Sequence, residues 1–416
     1  ATDAGPVLDL YVTPNRGDWL SILGVAREIA ALTGRPLRLP AAPPAPSGPP
    51  APGLRVDLEE PALCPRYVAR LIRDVTPAAS PEWLQRRLTA AGLRPINNLV
   101  DVTNYILLEL GHPLHAFDAE LLRDGRIVVR RARPGERIVP IDGDEVALTP
   151  EILVIADAER PVAIAGVMGG AETAVSERTR HVLLEAAAFD PVAIRRAAKR
   201  TGISTESSRR FERTVDPNGV EFASARAAHL IATLAGGSVS ETVVDAYPRP
   251  VAPREIVVRP DRVRALLGVD VSDADQERFL TRLGVTVVRD DPLEWRAIAP
   301  TFRPDLTIEP DLAEEIGRLY GYSALPETLP AGSAGSGQVS DLARLAIRAR
   351  HLLMGAGLNE AVSHTLLPNA WLRRTRCERS PVWRADDAVA IVLRNPISEE
   401  ADTLRPSLLP GLLAAV

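Results

Sequence analysis

Residues 181–189 read HVLLEAAAF, an apolar run with one carboxylate in its middle. A short run of this kind, bounded by polar and turn-forming residues, is typical of a buried β-strand. Similar runs follow one another closely in this part of the chain: RIVVRRA at 126–132, ILVIADA at 152–158 and PVAIAGVMGG at 161–170. Between and around them, helical periodicity predicts helices at 81–92, 97–111, 191–202 and 219–237. We therefore predict a mixed α/β domain over residues 54–248.

The whole chain has the composition of an ordinary globular protein. Its 416 residues are 46% apolar and 25% charged, with a net charge of −5. This length allows two to four domains at about 100–200 residues each. No apolar run approaches the roughly 18 residues of a membrane span, and the first ten residues show no signal-peptide pattern. We expect a cytoplasmic protein that does not act at a membrane.

Cysteine and lysine usage excludes several kinds of site. Cys64 and Cys377 are far apart, which excludes a disulfide framework and a cysteine-type zinc site. Lys199 is the only lysine among the 49 basic residues, and no G-x-x-x-x-G-K-[ST] run is present. The sequence thus argues against P-loop nucleotide hydrolysis and against catalysis by a lysine.

Composition shifts divide the chain into blocks. The segment 41–53, AAPPAPSGPPAPG, predicts a proline-rich linker, and weaker shifts occur at 248–253 and 325–338. In 1–40 we predict a small α/β piece, with a strand-like run, a turn and a helix ending at Gly34. Block 254–328 predicts two helices, a two-stranded wing and an acidic helix, as in a winged-helix-like module. With the block 339–416, the predicted fold class is α+β and multidomain.

A polar stripe runs along the helix predicted at 97–111. Asn97, Asp101 and Asn104 lie at i, i+4 and i+7 and share one helical face. Capping of the helix accounts for Asn97 but not for the other two, which come after the first turn. His115 follows the helix stop and is predicted to lie in a loop. The alternative is an ordinary solvated face with a surface histidine.

Glu185 is the charged residue inside the apolar run quoted above. A buried carboxylate is rare unless it is paired or used, so this residue is a functional candidate. On the sequence alone, an edge strand with Glu185 facing solvent remains an equal alternative.

A basic segment follows this strand. Between 194 and 214 seven basic residues stand against Glu206 and Glu212, which is typical of a phosphate-binding surface. A solvated helix face with ion pairs explains the same pattern equally well. The seven are Arg195, Arg196, Lys199, Arg200, Arg209, Arg210 and Arg213.

An acidic set occurs at 305–315 and comprises Asp305, Asp311, Glu314 and Glu315. The last three share a helix face at i, i+3 and i+4, and hard oxygen ligands at such spacing suit Mg²⁺. Acidic residues also favour the first turn of a helix through its macrodipole. Without further information the macrodipole explanation is the favoured one.

Six separate stretches, in order along nearly the whole chain, resemble the β subunit of bacterial phenylalanyl-tRNA synthetase. They are VTPNRGDWLSILGVAREIAALTG, RPINNLVDVTNYILLELGHPLHAFD, GVMGGAET, TESSRRFERTVDP, DLTIEPDLAEEIGRLYGY and LRNPISEEADTLRPSLLPGLL. The resemblance implies an α2β2 heterotetramer whose α subunit uses Phe and ATP to charge tRNA(Phe). It also implies a chain that lacks the family's N-terminal tRNA-binding module and its C-terminal part.

The resemblance assigns a role to each block. Block 54–248 would be a tRNA-binding editing domain of B3/B4 type that hydrolyses mischarged Tyr-tRNA(Phe). Block 254–328 would be a B5-type module, and 339–416 the start of a catalytically silent domain with the antiparallel sheet of class II synthetases. The alternative is a non-catalytic scaffold that binds tRNA and the α subunit and has an inactive pocket.

The resemblance also assigns residues. Glu185 would accept a hydrogen bond from the tyrosine hydroxyl, the basic segment would hold the tRNA acceptor end, and the acidic set would bind Mg²⁺ shared with the α subunit. Ser207 stands where many relatives have Ala, and Arg209 replaces a smaller or neutral residue. The family's editing positions fall on Thr103, Asn104, His115, Gly166, Glu185 and Thr205.

Overall fold

The computed structural model describes residues 5–329, 332, 337, 339–377 and 390–416. It divides into two compact units, Ala1–Glu327 and Thr328–Val416. Part of the boundary predicted at 325–338 lies outside the described residues. In the described part of the chain, no helix is long and apolar enough to cross a membrane.

Helices and strands are interspersed along both units. The helices are α1 (Ile22–Thr33), α2 (Glu82–Ala90), α3 (Val100–Leu110), α4 (Pro191–Thr201), α5 (Glu206–Phe211), α6 (Val220–Ala235), α7 (Pro260–Leu267), α8 (Asp273–Arg282), α9 (Glu309–Tyr320), α10 (Asp341–Gly355), α11 (Asn369–Arg374) and α12 (Leu409–Ala415). The strands are β1 (Arg55–Leu58), β2 (Arg66–Arg73), β3 (Leu114–Asp118), β4 (Arg126–Arg131), β5 (Arg137–Ile138), β6 (Val146–Ala147), β7 (Leu153–Ala156), β8 (Pro161–Ile164), β9 (Met168–Gly169), β10 (Val182–Ala188), β11 (Ser238–Ala246), β12 (Arg254–Val258), β13 (Thr286–Val288), β14 (Trp295–Ala299), β15 (Leu366–Leu367) and β16 (Thr403–Leu404).

Two sheets build the region that contains β10. An antiparallel sheet has the strand order β11-β2-β10-β3, and a mixed sheet has the order β1-β4-β7-β8-β9. Side chains alternate across β10 because a strand has a period of two. Leu183 and Ala187 pack into the core between the sheets, whereas Val182 and Leu184 pack against α3 and α6 on the other face. Glu185 therefore points into the space between the sheets.

The mixed α/β, multidomain character predicted from the sequence is confirmed, and so are strands β4, β7, β8 and β10 and helices α2, α3, α4 and α6. Two local predictions are wrong. The strand-like run before Pro14 has no regular structure. His115 lies in β3 and not in a loop, because β3 pairs with β10 over residues that are distant in sequence.

The proline-rich segment 41–53 is attached to the sheet edge. The Gly48 N–H donates to the Val239 carbonyl at 2.8 Å, and the Glu241 N–H donates back to the Gly48 carbonyl at 3.0 Å. The Ala51 N–H donates to the Thr242 side chain at 2.9 Å. The helix α1, which precedes this segment in the sequence, packs against α3 and α8.

The part of the first unit after β11 has its own core. A three-stranded sheet of order β12-β14-β13 packs with α7, α8 and α9 around the fully buried Trp295. The sequence predicted only a two-stranded wing. The structure adds β12, which pairs with β14 along its whole length.

The second unit contains α10, α11, α12 and the two-stranded sheet of β15 and β16. Thr403 and Leu372 are among its buried side chains. The helix α10 exposes several large apolar residues, such as Leu342 and Leu352.

Candidate functional site

Glu185 and His115 are direct neighbours across two strands. The register of β10 and β3 pairs these two residues, so their side chains emerge on the same face of the sheet. Glu185 is 6% exposed. Its Oε2 atom and the Nε2 atom of His115 are both buried, and neither has a hydrogen-bond partner among the described residues. Buried polar atoms are almost always satisfied in folded proteins, so two such atoms side by side indicate a site for a ligand or water.

These two side chains line a partly open cavity of about 50 Å³. A cavity of this volume holds a few waters, so a larger group has to extend outward through its open side. The antiparallel sheet with β3 and β10 supplies one wall. The turn after β8, the strand β9 and the helix α5 supply the other. The residues of that second wall include Gly166, Met168, Gly169, Ser207 and Phe211.

Two glycines shape this wall, Gly166 in the turn between β8 and β9 and Gly169 in β9. Gly166 has φ +67°, a conformation that side chains rarely adopt, and a Cβ there would come within 3.0 Å of Ile194 and Phe211. At Gly169 a Cβ would lie 2.3 Å from Cε1 of His115. The imidazole therefore rests directly on the backbone of Gly169, and the position of the ring depends on the absence of a side chain.

Burial sets the protonation of both polar groups. It raises the pKa of Glu185 to about 8 and lowers the pKa of His115 to about 4. Near pH 7 the carboxyl group therefore keeps its proton and the imidazole is neutral. In that state Glu185 can both donate and accept a hydrogen bond, and His115 can orient a water or hydroxyl group without adding charge.

Thr205 supports the cavity from outside. Its hydroxyl donates to the Val167 carbonyl at 2.9 Å, and it also caps α5 by accepting from the Ser208 N–H at 3.0 Å. This residue ties the start of α5 to the β8–β9 turn. It is not part of the cavity lining.

Thr103 and Asn104 are not brought to the cavity lining. Their helix α3 packs through Val102 and Ile106 against the opposite face of the sheet from Glu185. The Thr103 hydroxyl donates to its own helix, to the Val100 carbonyl at 2.7 Å.

The stripe on α3 has a structural explanation. The Asn97 side chain accepts from the Leu99 and Val100 N–H groups as a cap. Asp101 is fully buried and accepts from the Ser80 hydroxyl at 2.6 Å and from the Ile96 N–H at 2.8 Å. Asp101 therefore has a structural role and does not line the cavity. Helical spacing defined the stripe but did not show which face of the sheet the helix covers.

The basic segment separates into exposed and buried members. Arg195, Arg196 and Lys199 are exposed on α4, as is Arg200, which pairs with Glu151 at 3.2 Å. On α5 the exposed Arg209 pairs with Glu206 at 2.9 Å. These positions leave most of the α4 charge available to an anion.

Arg210 is a correction to the predicted RNA-binding set. It is 6% exposed and donates to the Leu20 carbonyl at 3.1 Å and to the Glu206 side chain at 2.7 Å. It therefore joins α5 to the start of the chain. Arg213 is half-buried, and its Nη1 donates to the Arg209 carbonyl at 2.9 Å.

The acidic set lies around one cavity of about 340 Å³, and two of its members, Asp305 and Glu315, are neutralised by arginines. Arg303 binds both oxygens of Asp305, at 2.9 and 2.7 Å, and it also donates to Glu315 at 3.1 Å. Burial opposes ionisation of Glu315, yet the hydrogen bonds and charges of Arg318 and Arg303 lower its pKa to about 2. Within the described ranges, no group of three or more His, Cys, Asp or Glu residues is arranged to hold a metal ion.

Asp311 belongs to the helix start. One of its oxygens accepts from the Thr307 N–H at 2.7 Å and from the Ile308 N–H at 2.9 Å. Glu314 lies exposed on α9 at the rim of the same cavity.

Sequence reasoning identified three of the cavity residues, namely His115, Gly166 and Glu185, and it missed Met168, Gly169 and Phe211. The glycine pair at 169–170 was a weak signal, since a tight turn explains it equally well. Ser207 stood out only as a departure from the family pattern.

Three family models match successive parts of the chain. The B3/4 domain matches residues 63–236, the tRNA synthetase B5 domain matches residues 256–322, and the phenylalanyl tRNA synthetase beta chain CLM domain matches residues 325–416. The cavity residues all lie within the first match.

Curated relatives agree along almost the full chain. The phenylalanine–tRNA ligase beta subunit of Moorella thermoacetica is 48% identical over 408 residues, which is 98% of this chain and 50% of that protein. Those of Salinibacter ruber and Geobacter sulfurreducens are 48% and 45% identical, over 99% and 98% of this chain and 49% and 51% of the relatives. The chain thus spans about half the length of the curated relatives it matches. It belongs to the family of phenylalanine–tRNA ligase beta subunits.

Proposed function

We propose that this chain acts in phenylalanine–tRNA ligase as the β subunit and that its cavity hydrolyses tyrosine wrongly attached to tRNA(Phe). One observation carries the proposal: Glu185 and His115 are paired across two strands, and Glu185 Oε2 and His115 Nε2 are buried without a partner in the described structure, in the wall of one cavity. The names of the relatives, phenylalanine–tRNA ligase beta subunits, indicate a tRNA as the macromolecular ligand.

The chemistry of Glu185 suits the discrimination of tyrosine from phenylalanine. A tyrosyl ring reaching into the cavity would place its hydroxyl against the carboxyl group and satisfy a buried polar atom. A phenylalanyl ring would displace water and leave that atom unpaired, which is costly. Sites that hydrogen-bond a substrate hydroxyl discriminate strongly against the analogue without it. Correctly charged Phe-tRNA(Phe) would thus be spared.

His115 is proposed to orient the attacking water. Its ring is fixed from one side by Gly169 and from another by Phe117, whose ring centre lies 4.4 Å away in an edge-on arrangement. Because burial keeps the pKa of His115 at about 4, the ring is neutral near pH 7 and can accept a hydrogen bond from a water molecule. A positioned water is sufficient for a reactive ester.

The exposed residues Arg195, Arg196 and Lys199 of α4 are proposed to hold the acceptor end of the tRNA. The helix α4 packs against α5, which carries Ser207 at the cavity rim. These three exposed cations have no ion pair among the described residues and would bind phosphates of the tRNA. We expect tRNA binding to depend strongly on salt.

We also propose an α subunit as partner in an α2β2 assembly and ATP-dependent charging of tRNA(Phe) at that subunit. Mg²⁺ at the acidic set stays a prediction. The donor set as arranged does not fit it, since Arg303 and Arg318 already occupy Asp305 and Glu315.

The test is deacylation of Tyr-tRNA(Phe) by the full chain together with its α subunit. We expect hydrolysis by the wild type, and a loss of at least 100-fold in Glu185→Ala and His115→Ala with tRNA binding retained. Glu177→Ala is the matched control, because Glu177 is an exposed carboxylate of the same domain. No hydrolysis by the wild-type complex would leave the scaffold with an inactive pocket as the function.

A further inference from the structure

Tyr67 carries a third buried polar atom behind the cavity. The side chain is fully buried on β2, and its hydroxyl has no hydrogen-bond partner in the part of the chain that the structure describes. A buried tyrosine hydroxyl normally finds a partner. The cavity lining does not include Tyr67, so the proposed hydrolysis leaves this atom unexplained.

The strand register places Tyr67 diagonally from Glu185. In the pairing of β2 with β10, Tyr67 is opposite Ala187 and Glu185 is opposite Ala69. Tyr67, Ala69 and Ala187 all belong to the core between the sheets, so Glu185 and Tyr67 point to the same side. Diagonal neighbours on one face lie within reach of aromatic and long side chains.

The surroundings of Glu185 offer few other polar groups. Burial raises the pKa of the Tyr67 hydroxyl, and the nearby carboxyl of Glu185 raises it further. The Cys64 thiol also lies close and donates to the Arg66 carbonyl at 3.5 Å; burial raises its pKa as well. From β3 the neutral His115 faces the carboxyl group, and from α5 the uncharged Ser207 does so.

We propose that Tyr67 is a positioning residue whose hydroxyl donates a hydrogen bond to Glu185 when that carboxyl group ionises. A turn of the Glu185 side chain brings one oxygen to the Tyr67 hydroxyl, and the other oxygen is left to accept from the phenol of the substrate. The proton of Glu185 leaves to solvent through the open side of the cavity. This proposal rests on the proposed function for its role in hydrolysis, but not for the hydrogen bond itself.

This arrangement strengthens the discrimination of a tyrosyl group from a phenylalanyl group. Hydrogen bonds to an ionised carboxylate are roughly twice as strong as those between neutral groups. A fixed donor behind the carboxylate, in a site shielded from water, makes the ionised form reachable near neutral pH. Phenylalanine lacks the second donor, so the carboxyl group would stay protonated and unpaired beside it.

The test compares the full chain with its Tyr67→Phe variant, which keeps the ring and removes only the hydroxyl. The pKa of Glu185 is followed without substrate through the carbonyl-stretch infrared band of a protonated carboxyl, assigned by its loss in Glu185→Gln. We expect the pKa of Glu185 to be higher in Tyr67→Phe than in the wild type, because the variant lacks the donor to the ionised carboxylate. Tyr105→Phe is the control, since that hydroxyl is bonded to Glu109 and Arg87 on the other side of the sheet.

In the complex with the α subunit, kcat/KM for Tyr-tRNA(Phe) is expected to fall about tenfold in Tyr67→Phe, with the pH profile displaced toward alkaline pH. An unchanged pKa of Glu185 overturns the Tyr67 proposal, whatever the hydrolysis rate. An inactive wild-type complex overturns the proposed function instead, and a raised pKa then still supports the hydrogen bond.

Discussion

Two clusters of buried ionisable residues in the first unit differ in how they are satisfied. Around Arg303, the buried carboxylates of Asp305 and Glu315 are held by guanidinium groups at hydrogen-bond distance. Around Glu185, the buried carboxyl and imidazole have no such partner among the residues described. The first cluster is complete without a ligand, whereas the second is not. Burial of an ionisable group therefore does not by itself indicate function. Buried polar atoms that lack a hydrogen-bond partner do.

If the Arg303 cluster is structural, removing its central cation is strongly destabilising. Arg303→Met leaves the Asp305 carboxylate unpaired and Glu315 without one of its cations, and we expect a loss of about 3–5 kcal/mol in the free energy of unfolding, measured with urea. The control is Arg296→Met, because the Arg296 side chain is 45% exposed and that of Arg303 is 2% exposed. A surface pair of this kind contributes about 0–1 kcal/mol. Similar losses in both variants would remove the distinction between the clusters.

If the Glu185 cluster is incomplete, its carboxyl group lowers stability as pH rises. The folded protein holds the pKa of Glu185 at about 8, against an ordinary value of 4.5, so only the unfolded chain loses the proton between these pH values. We expect the free energy of unfolding of the wild type to fall by about 3–4 kcal/mol from pH 5 to pH 8, relative to Glu185→Gln. Parallel pH curves for the two proteins would contradict this.

The pKa shift of His115 affects stability in the opposite direction along the pH scale. Its pKa is about 4 in the folded protein and 6.5 ordinarily, so the unfolded chain binds the extra proton between these values. Stability is then lost as pH falls from 6.5 to 4, by about 3 kcal/mol relative to His115→Gln. Thermal unfolding of both proteins across this range measures the difference. A wild type that resists acid as well as the variant does would show that the imidazole is solvated.

The smallest effect concerns the position of the imidazole. Gly169→Ala places a Cβ 2.3 Å from the His115 ring, which has to move. We expect hydrolysis of Tyr-tRNA(Phe) to slow roughly 10–100-fold with tRNA binding unchanged. Gly53→Ala is the control, since a Cβ at Gly53 meets nothing within 4 Å. Equal rates in both variants would mean that the ring position does not matter.

The sequence identified those parts of the site that carry a local signal. Glu185 was evident because a charge interrupts an apolar run, and the elements around it were evident from their periodicity. Strand β2, with Tyr67, was not predicted, because Arg66 and Arg70 hide its apolar pattern. Their partners Asp245 and Glu221 are more than 150 residues away in sequence.

Long-range contacts also explain the errors. Arg210 counts as a cation in the basic segment, but its partner at Leu20 lies 190 residues earlier. Asp101 appeared to come after the cap of α3, yet it accepts from Ser80 across a separate loop. The sequence shows which charged groups are present, but only the tertiary structure shows which of them already have a partner.

The attachment of the proline-rich segment to β11 has a consequence for assembly. With Gly48 and Ala51 bonded to the sheet edge, only a short stretch separates that anchor from the end of α1 at Thr33. A short tether raises the effective concentration of α1 at its docking surface, so docking costs little association entropy. The hydrogen bond from Arg210 to the Leu20 carbonyl can then help to fix the start of the chain in place.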